Sequence, residues 1–145
     1  MQLMSNVRPR MSKPVVTIDG ELFEDLPGFY KHFQKQALDG ASWGNNLDAF
    51  NDVLRGGFGT PEEGFILLWQ NHLLSKQRLG YEETERVLQE RLKTCHQSNQ
   101  EHVAMQLSLA HSKQGETVFD WLVGILRIHG PGGSEQEDGV ELVLR

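Results

Sequence analysis

The apolar run GFILLW at residues 64–69 is the feature that most constrains the fold of this chain. It has the length of one β-strand, and its apolar residues follow one another without the alternation of a half-exposed strand. Such a run is typical of a strand that is covered on both faces, as in a parallel sheet with helices packed against it. The chain has 145 residues and is 38% hydrophobic, which suits a single domain with a modest core around this strand.

Two further segments have the pattern of strands. Residues 14–20 (PVVTIDG) contain β-branched residues and end in an Asp-Gly turn, and residues 140–144 (VELVL) alternate. Apolar residues at helical spacing predict helices over residues 26–38, 45–55, 81–96, 98–113 and 117–129. The order is therefore β-α-α-β-α-α-α-β, and strands separated by helices predict an α/β fold with a small, mainly parallel, three-stranded sheet.

Several of the predicted helices carry recognisable start signals. Residues 98–101 (SNQE) match a capping box, and residues 117–120 (TVFD) offer a similar cap. Asn45 or Asn46 is expected to cap the helix at 45–55, since asparagine is a preferred N-cap residue. The helix at 117–129 is apolar nearly all round, so we expect it to be buried between the sheet and the helical hairpin that precedes it.

The charge of the chain is acidic and uneven. The net charge is −6, and residues 1–13 hold three positive charges and no acid, so the remainder carries −9. Phosphate binding needs a basic surface, so the composition disfavours nucleic acid as a direct ligand. It favours a basic protein partner that is attracted by electrostatic steering.

We find neither a membrane span nor a secretory signal in the sequence, and it holds a single cysteine. No apolar run approaches the ~20 residues of a membrane span, and residues 1–13, which we expect to be flexible, lack the apolar part of a secretory signal. Cys95 is the only cysteine, which excludes an internal disulfide. We expect a cytoplasmic monomer with residues 14–145 as one domain.

The sequence also lacks the residue groupings of an enzyme. The six histidines show no ligand spacing, and no Ser-His-Asp grouping or phosphate-binding loop is present. Asp48 could act as an acid or base, but nothing beside it in sequence supplies a nucleophile or a metal. We therefore expect no enzymatic activity, no metal and no cofactor.

Residues 43–55 (WGNNLDAFNDVLR) combine an apolar helix side with two aspartates on the opposite side. Apolar residues at i, i+3 and i+7 form one side of a helix, while Asp48 and Asp52 lie one turn apart on the other side. Like charges at this spacing oppose a helix by about a few tenths of a kcal/mol. Because no Lys or Arg lies one turn before either residue, we expect two unpaired carboxylates. They could be a solvated helix face, or they could bind a partner.

This stretch resembles a motif of the barstar family of intracellular ribonuclease inhibitors, as do VTIDGELF at the first strand and FILLWQNHLLSKQ at the second. The family pattern is aromatic-Gly-x-Asn-Leu-Asp-Ala-aromatic, then three positions and an aliphatic residue. It is matched by Trp43, Gly44, Asn46, Leu47, Asp48, Ala49, Phe50 and Leu54. The resemblance covers residues 14–78 and 116–145, leaving 79–115 as an inserted helical hairpin, and it implies a parallel three-stranded sheet backed by helices.

The resemblance also implies an inhibitor that plugs the active site of a basic, secreted microbial ribonuclease. Two helix aspartates in the family contact the basic residues that would hold the substrate phosphate, and they correspond to Asp48 and Asp52. The candidate partner-binding residues are Trp43, Gly44, Asn45, Asn46, Asp48, Asn51, Asp52 and Arg55. Trp43 could instead pack in the core, and both roles are open at this point.

Three positions depart from the family pattern. Asn51 and Gly57 stand where the family has aromatic residues, and Ile125 stands where it has a glutamate. The two aspartates are thus kept while the surrounding contacts differ. An alternative function follows from the same fold: a regulatory or scaffold module that binds a non-nuclease partner through the hairpin at 79–115.

Overall fold

The computed structural model describes residues 13–38 and 43–145. The segment 1–13, predicted to be flexible, lies outside these residues apart from Lys13, as does the part of a predicted loop at 39–42. The described strands are β1 (Val15–Asp19), β2 (Phe65–Gln70) and β3 (Val140–Leu144), and the described α-helices are α1 (Leu26–Ala37), α2 (Leu47–Leu54), α3 (His72–Arg78), α4 (Tyr81–Thr94), α5 (Gln100–His111) and α6 (Val118–Ile128).

The three strands form one parallel sheet in the order β1-β2-β3, which confirms the predicted fold class. Trp69 of β2 lies opposite Ile18 on one side and Leu144 on the other. Phe65, Leu67 and Trp69 are buried, whereas the residues between them are half-buried. The second face of the central strand is therefore covered less completely than its apolar run predicted.

Helix α3 is absent from the predicted order and is a correction to it. It begins directly after β2, separated from it only by Asn71, whose φ of 56° is left-handed. The helix has seven residues and no side-chain cap, so neither length nor capping marks it in the sequence. Its Ser75 accepts a hydrogen bond from the Trp69 indole N–H at 3.0 Å, which fixes the helix against the central strand.

Aromatic rings connect the sheet to α1 and α2. Phe29 of α1 stacks on Trp69 with ring centroids 5.5 Å apart, and it meets Phe50 of α2 edge-on at 5.4 Å. Phe33, one turn later on α1, also meets Phe50 edge-on at 5.1 Å. All four rings are fully buried, so α2 is joined to the central strand through the rings of α1, and it also packs against α6.

Helices α4 and α5 pair as the predicted hairpin. They form a small second cluster around Leu88, Val103 and Ala110. Trp121 of α6 packs against this cluster and against the main core. Helix α6 therefore lies between the two clusters, as its apolar pattern predicted.

Buried hydrogen bonds join the hairpin to two other helices. The Thr84 hydroxyl accepts the N–H of Val118, the first residue of α6, at 2.9 Å. The Glu83 carboxylate accepts the N–H of Leu26, the first residue of α1, at 2.8 Å, and it is paired with Arg86 at 2.6 Å. The first N–H groups of a helix have no partner within the helix, so the hairpin satisfies groups that would otherwise be orphaned.

We predict that Thr84→Val lowers the free energy of unfolding by about 1–3 kcal/mol, because it keeps the side-chain shape but leaves the buried Val118 N–H without a partner. Urea denaturation measures the change. Thr94→Val is the matched control on the same helix, since that hydroxyl is exposed. Equal stabilities of the two variants would contradict the structural role given to the hairpin.

His32 links α1 to the end of β1. Its Nε2 accepts the backbone N–H of Asp19 at 3.0 Å, which requires that nitrogen to be unprotonated. Burial holds the pKa of His32 below its ordinary value, while the nearby Asp19 carboxylate opposes this shift. The folded protein therefore favours the neutral ring.

This arrangement predicts a pH dependence of stability. As pH falls below the ordinary histidine pKa of 6.5, the unfolded chain binds a proton that folded His32 resists, so stability should decrease. Unfolding free energies measured from about pH 7 to about pH 5 should fall less steeply for His32→Gln, which keeps an acceptor oxygen but does not titrate. A variant with the slope of the wild type would show that His32 does not contribute.

Candidate functional site

The loop before α2 is held by Asn46. The Asn46 Oδ1 accepts the N–H of Ala49 at 2.8 Å, and its Nδ2 donates to the carbonyl of Gly44 at 3.2 Å. Asn46 is the N-cap of α2, which confirms the expected capping role for one of the two asparagines. Asn45 has a left-handed φ of 49°, so the loop turns sharply just before the helix.

Trp43 anchors the start of this loop in the hydrophobic core. Its side chain is only 5% exposed, its ring packs against Tyr30 and Phe50, and its indole N–H donates to Gln34 Oε1 at 3.0 Å. Of the two roles left open by the sequence, the structure shows core packing. The three residues that follow Trp43 are exposed, so the buried ring positions an outward-facing loop.

Asp48 occupies the first turn of α2. The helix begins at Leu47 rather than at the predicted residue 45, so Asp48 lies close to the positive end of the helix dipole. A carboxylate at this end stabilises a helix by about 0.3–1 kcal/mol, so Asp48 favours the helix rather than opposing it. Asp48 is exposed, and its carboxylate forms neither a hydrogen bond nor an ion pair within the described residues. This carboxylate is available to a partner.

Asp52 differs from Asp48 because it is already paired. Its Oδ1 lies 2.6 Å from Nη1 of Arg55, and both side chains are about half exposed. The expectation of two unpaired carboxylates is therefore wrong for Asp52. The sequence argument looked for a cation one turn before each aspartate, whereas Arg55 lies one turn after the second.

A second acid shares the Arg55 guanidinium. Glu135, in the loop before β3, accepts from Arg55 Nε at 2.7 Å and from Nη2 at 3.1 Å. This bidentate pair lowers the pKa of Glu135 and raises the pKa of Arg55. Sequence reasoning missed Glu135, since nothing local marks a loop acid 80 positions away as a neighbour of α2.

Asn51 faces the protein interior. Its Oδ1 lies 2.6 Å from Nε2 of His129, whose ring is fully buried and whose Nδ1 lies 2.7 Å from the Asp138 carboxylate. His129, Asp138 and Glu135 bring possible metal-ligand atoms within 4.8 Å of one another. Their atoms are engaged with Asn51 and Arg55 as well as with each other, and we assign no metal to them.

The structure thus brings most of the predicted site to one surface. The exposed members are Gly44, Asn45, Asn46, Asp48, Asp52 and Arg55. Asn51 is half-buried and Trp43 is buried, so both support this surface from inside. We call the six exposed residues the α2 surface.

The fold and the α2 surface define the class of this protein as a barstar-like α/β domain with an exposed acidic helix. Comparison with protein families gives the same answer, because the family described as "Barstar (barnase inhibitor)" matches residues 13–110. The match covers about two thirds of the chain, and the chain belongs to the barstar family. At the level of the family, this indicates the role of a barnase-type ribonuclease inhibitor.

The extent of the match differs from the resemblance seen in the sequence. It includes most of the hairpin at 79–115 and ends before α6 and β3, so the division of the domain into a family part and an insertion stays a prediction. A search of curated proteins finds no match. Among the described residues, no helix is both long enough and apolar enough to cross a membrane.

We predict that Asn51→Ala lowers the free energy of unfolding by about 1–3 kcal/mol, because the buried His129 ring loses its partner at Nε2. Chemical denaturation measures the loss. Asn99→Ala is the control, since Asn99 is exposed and its side chain makes no capping bond. A stability of Asn51→Ala within error of this control would rule out the supporting role.

Proposed function

We propose that this protein binds and blocks the active site of a basic microbial ribonuclease of the barnase type, using the α2 surface. The observation that carries the proposal is the state of Asp48. Its carboxylate is exposed and forms no hydrogen bond or ion pair with any described residue. The helix that carries it is fixed by the Asn46 cap and by the buried Phe50. It lies within the motif that resembles the family's binding helix.

The chemistry of such an inhibitor follows from charge and rigidity. A ribonuclease active site presents cationic side chains that are arranged to hold a phosphate. A carboxylate on a fixed helix offers those cations an anion but no bond to cleave. Since α2 is fixed by the Asn46 cap and by the buried Phe50, little conformational freedom of the helix remains to be lost on binding.

Asp52 would join this contact after an exchange of partners. An exposed ion pair such as Asp52–Arg55 contributes little to stability, because water and salt screen it. When a cation of the ribonuclease takes Asp52, the Arg55 guanidinium keeps its bidentate pair with Glu135. The exchange therefore leaves no charge unpaired.

Long-range electrostatics support the same pairing. The chain carries a net charge of −6, and a basic enzyme would be attracted before contact. Steering of this kind raises the association rate and weakens as salt screens the charges.

We predict that Asp48→Ala weakens inhibition of barnase, the probe ribonuclease, by a factor of roughly thirty to several thousand. This corresponds to ~2–5 kcal/mol for truncating one member of a desolvated charge pair, a range that complexes of this family helped to define. Asp52→Ala should weaken inhibition less, since Asp52 must first leave Arg55. Inhibition constants from an RNA-cleavage assay give both values.

Two further variants sharpen this experiment. Glu62→Ala is the control, because it removes an exposed acid outside the α2 surface and should change inhibition by less than about threefold. In an Arg55→Gln background, Asp52→Ala should cost more inhibition than it does in the wild type, since Asp52 no longer has to leave Arg55. If Asp48→Ala and Asp52→Ala inhibit as the wild type does, the proposed site is wrong.

The alternative is a scaffold that binds a non-nuclease partner through the hairpin. One observation favours it: Met105 and Leu109 of α5 are exposed by 58% and 40%. The same inhibition assay separates the two functions. A folded wild-type protein that neither binds nor inhibits barnase would leave the scaffold as the better candidate.

A further inference from the structure

A groove of about 490 Å³ runs beside Asp48, where α2, α6 and the hairpin meet. Its lining combines an acidic rim with an apolar floor. The lining residues on which the argument rests are Asp48, Arg91, Glu116, Trp121, Gly124 and Ile125. The groove is partly built by the hairpin and lies largely outside the α2 surface defined above.

The charges around this groove are unbalanced. Asp48, Glu116 and Asp120 contribute carboxylates, and Arg91 contributes the one guanidinium among its lining residues. Asp120 is engaged in the capping box of α6, where its carboxylate accepts the Thr117 N–H at 3.0 Å. Asp48 and Glu116 are exposed and make no hydrogen bond or ion pair within the described part of the chain. Two carboxylates therefore remain for an incoming cation.

The floor of the groove suits the stem of a long side chain. Trp121 and Ile125 are half-buried, and Ile128 is 37% exposed although it is a large apolar residue. Arginine and lysine place their methylene groups on such a floor while the charged head stays near polar groups. The groove thus offers apolar contacts for the stem of a long cationic side chain and carboxylates for its charged head.

Arg91 shows that this surface already accommodates a guanidinium. Its Cζ lies 5.1 Å from the centroid of the Trp121 ring, which is the geometry of a cation–π contact. The guanidinium of Arg91 therefore covers one face of the indole, and an incoming cationic side chain would lie beside it rather than on that face.

We propose that the groove receives an arginine or lysine side chain of the same basic ribonuclease whose active site is covered by the α2 surface. This inference rests on the proposed function and extends it, because it makes the hairpin part of the interface and Glu116 a determinant of partner choice. Asp48 borders both regions, so one bound protein can contact the two together.

Glu116→Lys and Gly124→Arg test this proposal with barnase as the probe. Glu116→Lys reverses a free charge of the groove. Gly124 is exposed, and a Cβ added there meets no atom within 4 Å, so its arginine variant fills the groove without displacing the core. Each variant should raise the dissociation constant by about tenfold or more in surface plasmon resonance, mainly through faster dissociation.

Matched controls separate local from general effects. Glu62→Lys makes the same charge change outside the groove, and Ala104→Arg adds an arginine at an exposed helix position that does not line the groove. Both should bind barnase within about threefold of the wild type. The groove proposal is overturned if Glu116→Lys and Gly124→Arg bind as well as these controls.

The Asp48→Ala variant distinguishes this failure from a failure of the proposed function. If Asp48→Ala loses barnase while the groove variants do not, the ribonuclease site stands and the groove proposal falls. If the wild type does not bind barnase, both fall. Sedimentation velocity of the protein alone gives one more outcome: a dimer that Gly124→Arg converts to a monomer would assign the groove to a second copy and overturn the proposal.

Discussion

The packing of Phe50 into the aromatic cluster of α1 is the contact on which the rest of the candidate site depends. Helix α2 has only eight residues, and isolated helices of that length are unstable in water. Phe29 and Phe33 contact Phe50, and Phe29 also stacks on Trp69 of the central strand, while α6 packs against α2 from another side. The exposed carboxylates of α2 are therefore located by the core beneath them, and this rigidity is what an inhibitor surface needs.

The two aspartates of α2 are not equivalent, because they lie at opposite ends of a short dipole. Asp48 is stabilised at the N-terminal end and stays free, whereas Asp52, near the C-terminal end, is compensated by Arg55. Glu135 holds Arg55 from the loop before β3 and so ties that loop to the helix. The α2 surface thus contains one carboxylate without a hydrogen bond or ion pair to the described residues and a second that is paired with Arg55.

The hairpin of α4 and α5 is part of the structural framework and borders the candidate interface. Glu83 and Thr84 provide acceptors to the first N–H groups of α1 and α6, so the hairpin cannot be treated as a loose addition. Helix α4 also places the Arg91 guanidinium over the Trp121 ring. Both residues line the groove beside Asp48. Removing the whole hairpin would therefore disturb the helices α1 and α6 that its side chains hold, as well as the groove it lines.

The sequence by itself determined the features that depend on neighbours along the chain. Apolar periodicity located the three strands and most helices, and short-range signals gave the Asn46 cap and the capping box at 117–120. One local prediction was wrong: the capping box expected at 98–101 is not formed, since residues 97–99 form a 3₁₀ turn and α5 begins at Gln100 without a side-chain cap. The Asp52–Arg55 pair is local, and a search one turn after each aspartate as well as before it would have found it. Only the tertiary structure decided that Arg55 also pairs with Glu135, that Asn51 faces His129 and that Trp43 is buried, because these depend on which distant segments the core brings together in space.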